Sequence, residues 1–523
     1  MIRRIRITLA TLFFVGLLLM FLDFTGTLHH YLSWMAQLQF WPSLISATAI
    51  GLACAAGIII LTLIFGRIYC SVICPLGVMQ DIIARLGRIG RRNPYSYSKE
   101  KRWLRWAFLL VMIVLFPFGL TSLLAPYSAF GRIANTIIRP LWIWGNNLLA
   151  GLAERADSYM FYDADVLMTG GVTLIVAFVT LLLVGALSAK NGRTYCNTVC
   201  PVGTILGICS RWSYLKVHID ADKCRNCGKC AKNCKAACID LKSHTIDYSR
   251  CVVCGDCLEE CSFLALEYGH ATKNGFNAIA RGMKPTRRRE EKIAKDFEKK
   301  QQPDSSNANS EKQPDASRRS FLLTMAMATT AAALAEDKKK VDGGLAAIAD
   351  KQAPERKTII LPPGARSMKH MSHKCTACQL CVSACENKVL RPSTSLDHFM
   401  QPYMSYEQGY CRPECHACSS VCPAGAISDI GAERKASTKI GTAVFLKKNC
   451  IALSGDAECG NCARHCPTEA ITMVPVDPDD ENSPQMPAVD ETRCIGCGAC
   501  ENLCPARPFS AIYVEGIEVQ KEI

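Results

Sequence analysis

The chain has 523 residues, which is enough for several domains, and it contains 31 cysteines. Most of these cysteines fall in C-x-x-C-x-x-C runs, so a disulfide framework is disfavoured. A net charge of +14 would indicate nucleic-acid binding in a soluble protein, but much of it flanks apolar stretches and is better explained as a membrane-topology signal. The sequence contains no Walker loop, dinucleotide-binding fingerprint or hydrolase nucleophile motif.

Residues 1–215 are predicted to form a four-helix membrane bundle. The candidate spans are residues 7–22, 44–65, 106–124 and 166–187, each close to the length that the hydrocarbon core requires. Nine Lys and Arg residues lie in the connection 66–105, whereas the longer connection 121–165 contains three. Because basic connections stay in the cytoplasm, both ends of the bundle are predicted to lie on the inner side.

The bundle contains an internal repeat that includes four cysteines. The segment G-R-I-Y-C-S-V-I-C-P-L-G at residues 66–77 returns as G-R-T-Y-C-N-T-V-C-P-V-G at residues 192–203. Each copy ends a predicted span at the cytoplasmic face, so Cys70, Cys74, Cys196 and Cys200 are expected to converge. They can bind a metal centre, form redox-active pairs or line a quinone pocket, or Cys and Pro can simply shape a helix cap and turn.

Residues 216–267 are predicted to form a ferredoxin domain with two [4Fe–4S] clusters. Three Cys spaced two residues apart hold one cluster, and the fourth Cys of the run reaches the other cluster. This spacing assigns one cluster to Cys224, Cys227, Cys230 and Cys261, and a second to Cys251, Cys254, Cys257 and Cys234. Zinc is the alternative, because C-x-x-C pairs also form tetrahedral zinc sites. Cys54 lies in an apolar span and is interpreted as a small packing residue, whereas Cys209 and Cys238 have no motif partner and Cys238 is interpreted as spare.

Residues 268–316 are polar and charged without apolar periodicity, and are predicted to be a solvated tether. The next segment, residues 317–335, contains Arg318 and Arg319, then Phe321 and a weakly apolar run. This pattern is similar to a twin-arginine export signal, which carries domains that are already folded. Such signals are normally N-terminal, so a linker that happens to contain two Arg remains an alternative.

Residues 336–523 are predicted to form a four-cluster ferredoxin domain. Its four motifs have regular spacing at the two ends and stretched spacing in the middle. Their cysteines are Cys375, Cys378, Cys381 and Cys385; Cys411, Cys415, Cys418 and Cys422; Cys450, Cys459, Cys462 and Cys466; and Cys494, Cys497, Cys500 and Cys504. Pairing of neighbouring motifs and a nested arrangement both remain possible. The chain as a whole is thus predicted to hold six clusters.

The order of these modules resembles two known families. The repeated C-x-x-x-C-P loops joined to the first cluster domain resemble the NapH family of membrane ferredoxins, and the twin arginine with its four-motif tail resembles the NapG family. The resemblance implies a fused quinol dehydrogenase component in the inner membrane. Its fold would be an α-helical membrane bundle plus α+β ferredoxin-like domains, and its tail would be exported to the periplasm.

Residue chemistry leads to the same functional expectation. A cluster with four Cys ligands carries single electrons and offers no open coordination position, so a series of clusters conducts electrons rather than transforming a substrate. We expect quinol oxidation near Cys70, Cys74, Cys196 and Cys200, and transfer to a partner such as a periplasmic reductase. Two alternatives are electron donation during maturation of a metalloenzyme and redox sensing. No nucleic-acid partner is expected.

Overall fold

The helices of the N-terminal half follow the predicted apolar stretches, with shifted ends. The computed structural model describes residues 2–89, 95–116, 119–158, 160–166, 170–272, 275–281, 349–455, 458–480 and 483–523. Its first helices are α1 (Ile2–Leu22), α2 (Thr27–Gln37), α3 (Phe40–Ser46), α4 (Ala49–Phe65), α5 (Tyr69–Val72), α6 (Pro75–Ile89) and α7 (Arg102–Leu115). They are followed by α8 (Pro126–Ile133), α9 (Arg139–Glu154), α10 (Gly171–Asn191), α11 (Thr194–Thr198) and α12 (Pro201–Ser210).

Two of these helices, α1 and α10, are long and apolar enough to cross a bilayer among the residues that the structure describes. Helix α4 is apolar but only 17 residues long. The second predicted span is divided, because Ala47 adopts a left-handed conformation between α3 and α4. The described residues of the third span form part of α7, which has 14 residues, and a short 3-10 helix, Leu120–Leu123. Among the described residues, helix length and hydropathy therefore identify two candidate spans, α1 and α10, rather than the predicted four.

The segment that contains Trp142 and Trp144 is helical. Both tryptophans lie on α9 and are half or more exposed, while the preceding α8 is buried along its whole length. Helix α8 packs against the tail, and an ideal Cβ at Gly131 would overlap the carbonyl oxygen of Cys378.

The first ferredoxin domain consists of short elements around its cysteines. They are β1 (Lys216–Ile219), α13 (Lys229–Asn233), β2 (Ile239–Asp240), β3 (Thr245–Ile246), α14 (Asp256–Glu260), β4 (Leu266–Thr272) and β5 (Gly275–Arg281). Strand β4 pairs antiparallel with both β1 and β5, so the predicted boundary at residue 267 is too early. Polar composition predicted a tether from residue 268 onward, but the end of β4 and all of β5 are paired by backbone hydrogen bonds. The rest of the predicted tether and residues 317–335 lie outside the described residues.

The tail contains three two-stranded antiparallel sheets within its described residues. Their strands are β6 (Leu390–Pro392) with β7 (Pro402–Met404), β8 (Thr438–Phe445) with β11 (Ile512–Glu522), and β9 (Ile471–Pro475) with β10 (Gln485–Val489). Short helices connect them: α15 (Met368–Lys374), α16 (Leu380–Ser383), α17 (Ala417–Ser420), α18 (Gly431–Ala436), α19 (Asn461–Arg464) and α20 (Ala499–Leu503). This alternation of hairpins and single-turn helices is the α+β ferredoxin-like arrangement that the motifs predict.

The two ferredoxin-like parts contact opposite ends of α1. At its beginning, Arg3 forms an ion pair with Asp256 of the first ferredoxin domain, at 3.0 Å. Just beyond its end, Gly26 lies against Glu386 of the tail. A helix of 21 residues is about 31 Å long. That length equals the thickness of a bilayer's hydrocarbon core, about 30 Å.

The tail is attached to the helical half by hydrogen bonds from several elements. Ser128 Oγ on α8 donates to Thr376 O at 2.6 Å, and Asn135 Nδ2 donates to Gln379 Oε1 at 3.1 Å. Lys374 Nζ donates to Ser46 O at 2.9 Å. These contacts surround the first tail motif, so that motif is held against the bundle.

We predict that Gly131→Ala weakens this attachment. The new Cβ would overlap Cys378 O, and overpacking of a tight contact costs about 1–3 kcal/mol. Gly145→Ala on α9 is the matched control, because an added Cβ there meets nothing within 4 Å and Ala favours a helix. Thermal unfolding of the detergent-solubilised chain measures both. Equal melting temperatures for the two variants would contradict the close contact between α8 and the tail.

Candidate functional site

The thiols of the first ferredoxin domain gather in two groups. Burial, followed by the nearby thiols of Cys227, Cys261 and Cys224, raises the pKa of Cys230 to about 11. A second cavity is lined by Cys234, Cys251, Cys254 and Cys257. In each group the last Cys of one run joins three Cys of the other run. This is the exchange of the fourth cysteine that the spacing predicts.

Cys238 lies in the second of these groups. Its sulfur is 3.5 Å from that of Cys234, and it lines the same cavity. The sequence analysis interpreted Cys238 as spare because it matches no spacing rule. Cys238 nevertheless packs against the second group, since the turn after Cys234 brings the two thiols together. Spacing alone could not reveal a contact that depends on this turn.

The tail motifs exchange their fourth cysteines between neighbours. Cys375, Cys378 and Cys381 share a cavity with Cys422 of the second motif, and Cys494, Cys497 and Cys500 share one with Cys466 of the third. The other two groups of the tail are indicated by the thiol pKa values, because neighbouring thiols raise one another's pKa. The pKa of Cys418 is raised by burial and by the nearby thiols of Cys411, Cys385 and Cys415. The pKa of Cys462 is raised to about 11 by burial and by the thiols of Cys459 and Cys504. The first motif therefore pairs with the second and the third with the fourth, which settles the choice that the sequence left open.

The donor sets fit iron–sulfur clusters better than single zinc ions. Among the described residues, no group of three or more His, Cys, Asp or Glu side chains is close enough to hold a single metal ion. A zinc site brings four sulfurs onto one ion, whereas a cluster holds them apart around an inorganic core. Backbone N–H groups also point at the sulfurs, as they do around cluster thiolates. They are Ala377 to Cys375 at 3.3 Å, Ile427 to Cys422 at 3.4 Å, Ala470 to Cys466 at 3.2 Å and Ala511 to Cys504 at 3.3 Å.

The four cysteines of the repeat converge in the helical half, and we call their surroundings the four-thiol chamber. Cys70, Cys74, Cys196 and Cys200 are 3–4% exposed. Burial, followed by the thiols of Cys196 and Cys70, raises the pKa of Cys74 well above its ordinary value. All four thiols are free of disulfide bonds.

The arginines of the two repeats exchange partners across the chamber. Arg67 Nη2 donates to Cys196 O at 3.3 Å, and Arg193 Nη1 donates to Cys70 O. Both side chains are fully buried. Each repeat thus supplies the guanidinium that binds the main chain of the other repeat. The Arg of the motif is explained by this exchange, which makes the two loops one unit.

The glycines of the repeat are explained by the same close approach. Gly66 and Gly192 end α4 and α10 with φ of 79° and 68°, a conformation that favours glycine. Gly77 and Gly203 lie so close to the carbonyl oxygens of Cys70 and Cys196 that an ideal Cβ would overlap them.

The second cysteine of each loop also caps a helix. Cys200 is the N-cap of α12, its sulfur accepts the Gly203 N–H at 3.4 Å, and Pro201 follows at the first helical position. The backbone N–H of Gly77 makes the corresponding bond to Cys74. The interpretation as a helix cap is therefore correct for Cys74 and Cys200. It does not account for Cys70 and Cys196.

A carboxylate whose side chain is only 13% exposed connects the chamber to the first ferredoxin domain. Asp81 pairs with Arg193 Nε at 2.7 Å, Arg6 Nη1 at 2.9 Å and Lys235 Nζ at 3.1 Å. Burial opposes ionisation of Asp81, but the charges of Arg193 and Lys235 outweigh it and hold the pKa of the carboxyl well below its ordinary value. Lys235 also pairs with Asp256 at 3.0 Å. Four elements of the chain are thus joined through one side chain.

We predict that Asp81→Asn destabilises the protein by on the order of 3–5 kcal/mol, because three buried cations lose their common partner. The lowered pKa means that this stabilisation is complete above the unfolded-state pKa, about 4, and is lost as the pH falls through the folded-state pKa. The gap between wild type and variant should thus be constant from pH 8 to pH 5 and shrink below about pH 4.

Thermal unfolding of the detergent-solubilised chain across this pH range measures the gap. Asp397→Asn, at an exposed carboxylate, is the control and should leave stability unchanged. A gap that does not change down to pH 3 would contradict the ion-pair network, since below about pH 4 the unfolded wild-type chain binds a proton at this carboxyl that the folded chain does not bind.

Comparison with known proteins gives matches over both halves of the chain. A family profile described as "4Fe-4S binding domain" matches residues 48–94, 171–219 and 418–441, and one described as "4Fe-4S dicluster domain" matches residues 457–507. The first two matched ranges contain the two Cys-Pro loops, so the repeat is part of a recognised iron–sulfur family.

Several curated proteins are similar to parts of this chain. The methylamine utilization ferredoxin-type protein MauM of Methylobacillus flagellatus is 33% identical over 169 residues, which are 31% of this chain and 70% of MauM. The ferredoxin-type protein NapF of Escherichia coli is 27% identical over 155 residues, 30% of this chain and 85% of NapF. The ferredoxin-type protein NapH of Haemophilus influenzae is 28% identical over 192 residues, 36% of this chain and 55% of NapH. The chain therefore belongs to the ferredoxin-type [4Fe–4S] electron-transport proteins, the family that includes MauM and NapH.

Proposed function

We propose that this chain is a membrane-bound component of a quinol dehydrogenase, with a NapH-type half fused to a NapG-type tail. The observation that carries the proposal is the position of the two ferredoxin-like parts at opposite ends of α1. A soluble relay has no need of apolar helices between its centres. In this proposal α1, α4, α7 and α10 are the four spans, and electrons leave the tail for a redox partner protein.

Six sets of cysteines are the proposed cluster ligands. Each cluster, when bound, supplies one-electron transfer. The first domain would use Cys224, Cys227, Cys230 and Cys261, and Cys251, Cys254, Cys257 and Cys234. The tail would use Cys375, Cys378, Cys381 and Cys422; Cys411, Cys415, Cys418 and Cys385; Cys494, Cys497, Cys500 and Cys466; and Cys450, Cys459, Cys462 and Cys504. Cys450 completes the last set by its place in the motif.

A cavity between α1 and α6 is the proposed entry site for quinol. Its volume is about 370 Å³, within the range of small-molecule sites. Its lining includes apolar side chains such as Ile7, Phe14 and Ile82 and charged groups such as Asp81 and Lys235. This arrangement suits a ligand with a polar ring and an apolar tail. The thiols of the four-thiol chamber are buried, so the cavity is a better entry site than the chamber that the sequence analysis favoured.

The cavity adjoins the second cysteine set of the first domain. Lys235 follows the ligand Cys234 in the chain, and its ammonium group is close enough to Cys254 for the two charges to interact. An electron taken from a ligand in the cavity therefore has a short path to this set. The carboxylate of Glu260 also lines the cavity and is the group proposed to take up protons released on quinol oxidation, because the ion pairs of Asp81 keep that carboxyl ionised.

Export of the tail would place it on the outer side of the membrane. The contacts of the tail lie at the end of α1, away from the basic residues Arg3 and Arg6 at its beginning. The chain must then cross the bilayer once between residues 281 and 349. Residues 317–335, with Arg318 and Arg319, are the segment with the matching composition.

A reporter fusion tests the topology. Alkaline phosphatase fused after Ile523 should be active in wild type, and Arg318→Lys with Arg319→Lys should lower its activity by at least about tenfold, because the export route reads the arginine pair. Changing Arg287 and Arg288 to Lys in the preceding basic run is the control. A reporter that is inactive in wild type would remove the periplasmic acceptor from the proposal.

Anaerobic reduction by quinol tests the entry site. In liposomes that contain a reduced menaquinone analogue, the visible absorbance of the clusters should bleach in wild type. Ile82→Trp fills the wall of the cavity and should slow the bleaching about tenfold, which is a loss of ~1.4 kcal/mol. Ile60→Trp, on the exposed face of α4, should leave the rate unchanged. Absence of bleaching in wild type would favour an electron source other than quinol.

A further inference from the structure

The four-thiol chamber lies between the two ferredoxin-like parts, and the proposed function gives it no task. Under that proposal, electrons enter beside the first domain and leave from the tail, and these two parts contact opposite ends of α1, a helix about 31 Å long. Electron tunnelling falls steeply with distance, so a single step across this separation is too slow for respiration. A redox centre midway would divide the distance into two shorter steps.

Every thiol of the chamber accepts a hydrogen bond from nitrogen. Arg67 Nη2 lies 3.7 Å from Cys70 Sγ, and Gln80 Nε2 lies 3.2 Å from Cys196 Sγ. Cys74 and Cys200 accept the N–H groups of Gly77 and Gly203. A cysteine that serves only for packing does not require a donor. Backbone N–H donors also reach sulfurs of the ferredoxin sets, such as those of Cys375 and Cys466.

Four buried thiols can ionise together only around a positive centre. The chamber is fully enclosed, and an uncompensated buried charge is costly. Arg67 and Arg193 contribute two cations, but Arg193 is already paired with Asp81. The sulfurs are not gathered closely enough for a single ion, as is also true of the ferredoxin sets. An inorganic iron–sulfur core provides the charge and spaces the sulfurs apart.

The chamber is connected to both neighbouring cysteine sets. On the inner side, Arg67 Nη1 donates to Ser249 O at 2.9 Å, two residues before Cys251. On the outer side, Tyr195 lies next to Cys196 in the chain and close to Arg132 of α8. Helix α8 also carries Gly131, which lies against the main chain of Cys378. Thus one helix separates the chamber from the first tail set.

We infer that Cys70, Cys74, Cys196 and Cys200 hold a seventh redox centre, an iron–sulfur cluster shared by the two repeats. It rests on the proposed function for its role, because it would accept one electron from the first domain and pass one to the tail. Both [2Fe–2S] and [4Fe–4S] clusters take four Cys ligands. The twofold exchange of arginines then has a purpose, because it fixes two Cys from each loop around a common centre.

The test compares iron and acid-labile sulfide in the anaerobically purified full chain with those in a variant in which all four chamber cysteines are Ser. The variant should lose about two irons for a [2Fe–2S] cluster or about four for a [4Fe–4S] cluster. One electron paramagnetic resonance signal should disappear while the others remain. Cys54→Ser with Cys209→Ser is the matched control, since both cysteines lie in the helical half outside every set, and it should lose none.

If the four-serine variant does not fold, the total iron content of the wild-type protein provides a second test. Six [4Fe–4S] clusters contain about 24 irons, so a seventh centre raises the total to about 26 or 28. Wild-type protein with a full complement of about 24 irons would overturn the inference. Equal iron in wild type and the folded variant would also overturn it, as would zinc or a disulfide bond found in the chamber.

The same variant separates this inference from the proposed function. Quinol should still bleach the clusters of the first domain in the variant, whereas those of the tail should stay oxidised. Bleaching of all clusters at the wild-type rate would contradict the bridging role of the chamber. No bleaching in wild type would contradict the quinol proposal and leave the iron count of the chamber as an independent result.

Discussion

The ion pairs of Asp81 fix the positions of α1, the second repeat and the first ferredoxin domain relative to one another. This carboxylate binds Arg6 at the start of α1, Arg193 of the second repeat and Lys235 of the first ferredoxin domain. Three cations around one buried anion are stable only while all the partners stay in place, since removal of one member leaves charge without compensation in a low-dielectric interior. The position of the ferredoxin domain against the helices is therefore determined by electrostatics as well as by apolar packing.

The repeat shows why a short motif can require so many specific residues. Arg67 and Arg193 bind the main chain of the opposite loop, and Gly77 and Gly203 allow that approach. Sequence predicted that the loops converge, because both follow apolar helices of the same orientation. It could not predict the exchange of partners, since an arginine in one loop gives no indication that its acceptor is a carbonyl 129 residues away.

Local spacing predicted the cysteine sets better than the connections between them. Three of the four cysteines in each set lie within one loop, so the spacing determines their geometry; the fourth comes from a different motif, and only the fold identified Cys422 and Cys466 as the partners. Composition misled at residue 267, where a polar segment continues as a paired strand. The contact between Cys238 and Cys234 was not predicted, because it depends on a turn rather than on a repeated interval.

Helix α8 lies between the four-thiol chamber and the first cysteine motif of the tail. It is buried along its whole length, although it lies in a connection that the sequence analysis did not count among the spans. One end of its buried surface approaches Tyr195 beside the chamber, and Gly131 approaches Cys378 of the tail. A bulky residue at Gly131 would separate the tail from the bundle, and electron tunnelling between centres weakens steeply with each added ångström. Under the proposed function, the close packing of a single glycine thus links the stability of the attachment to the electron transfer that we propose across it.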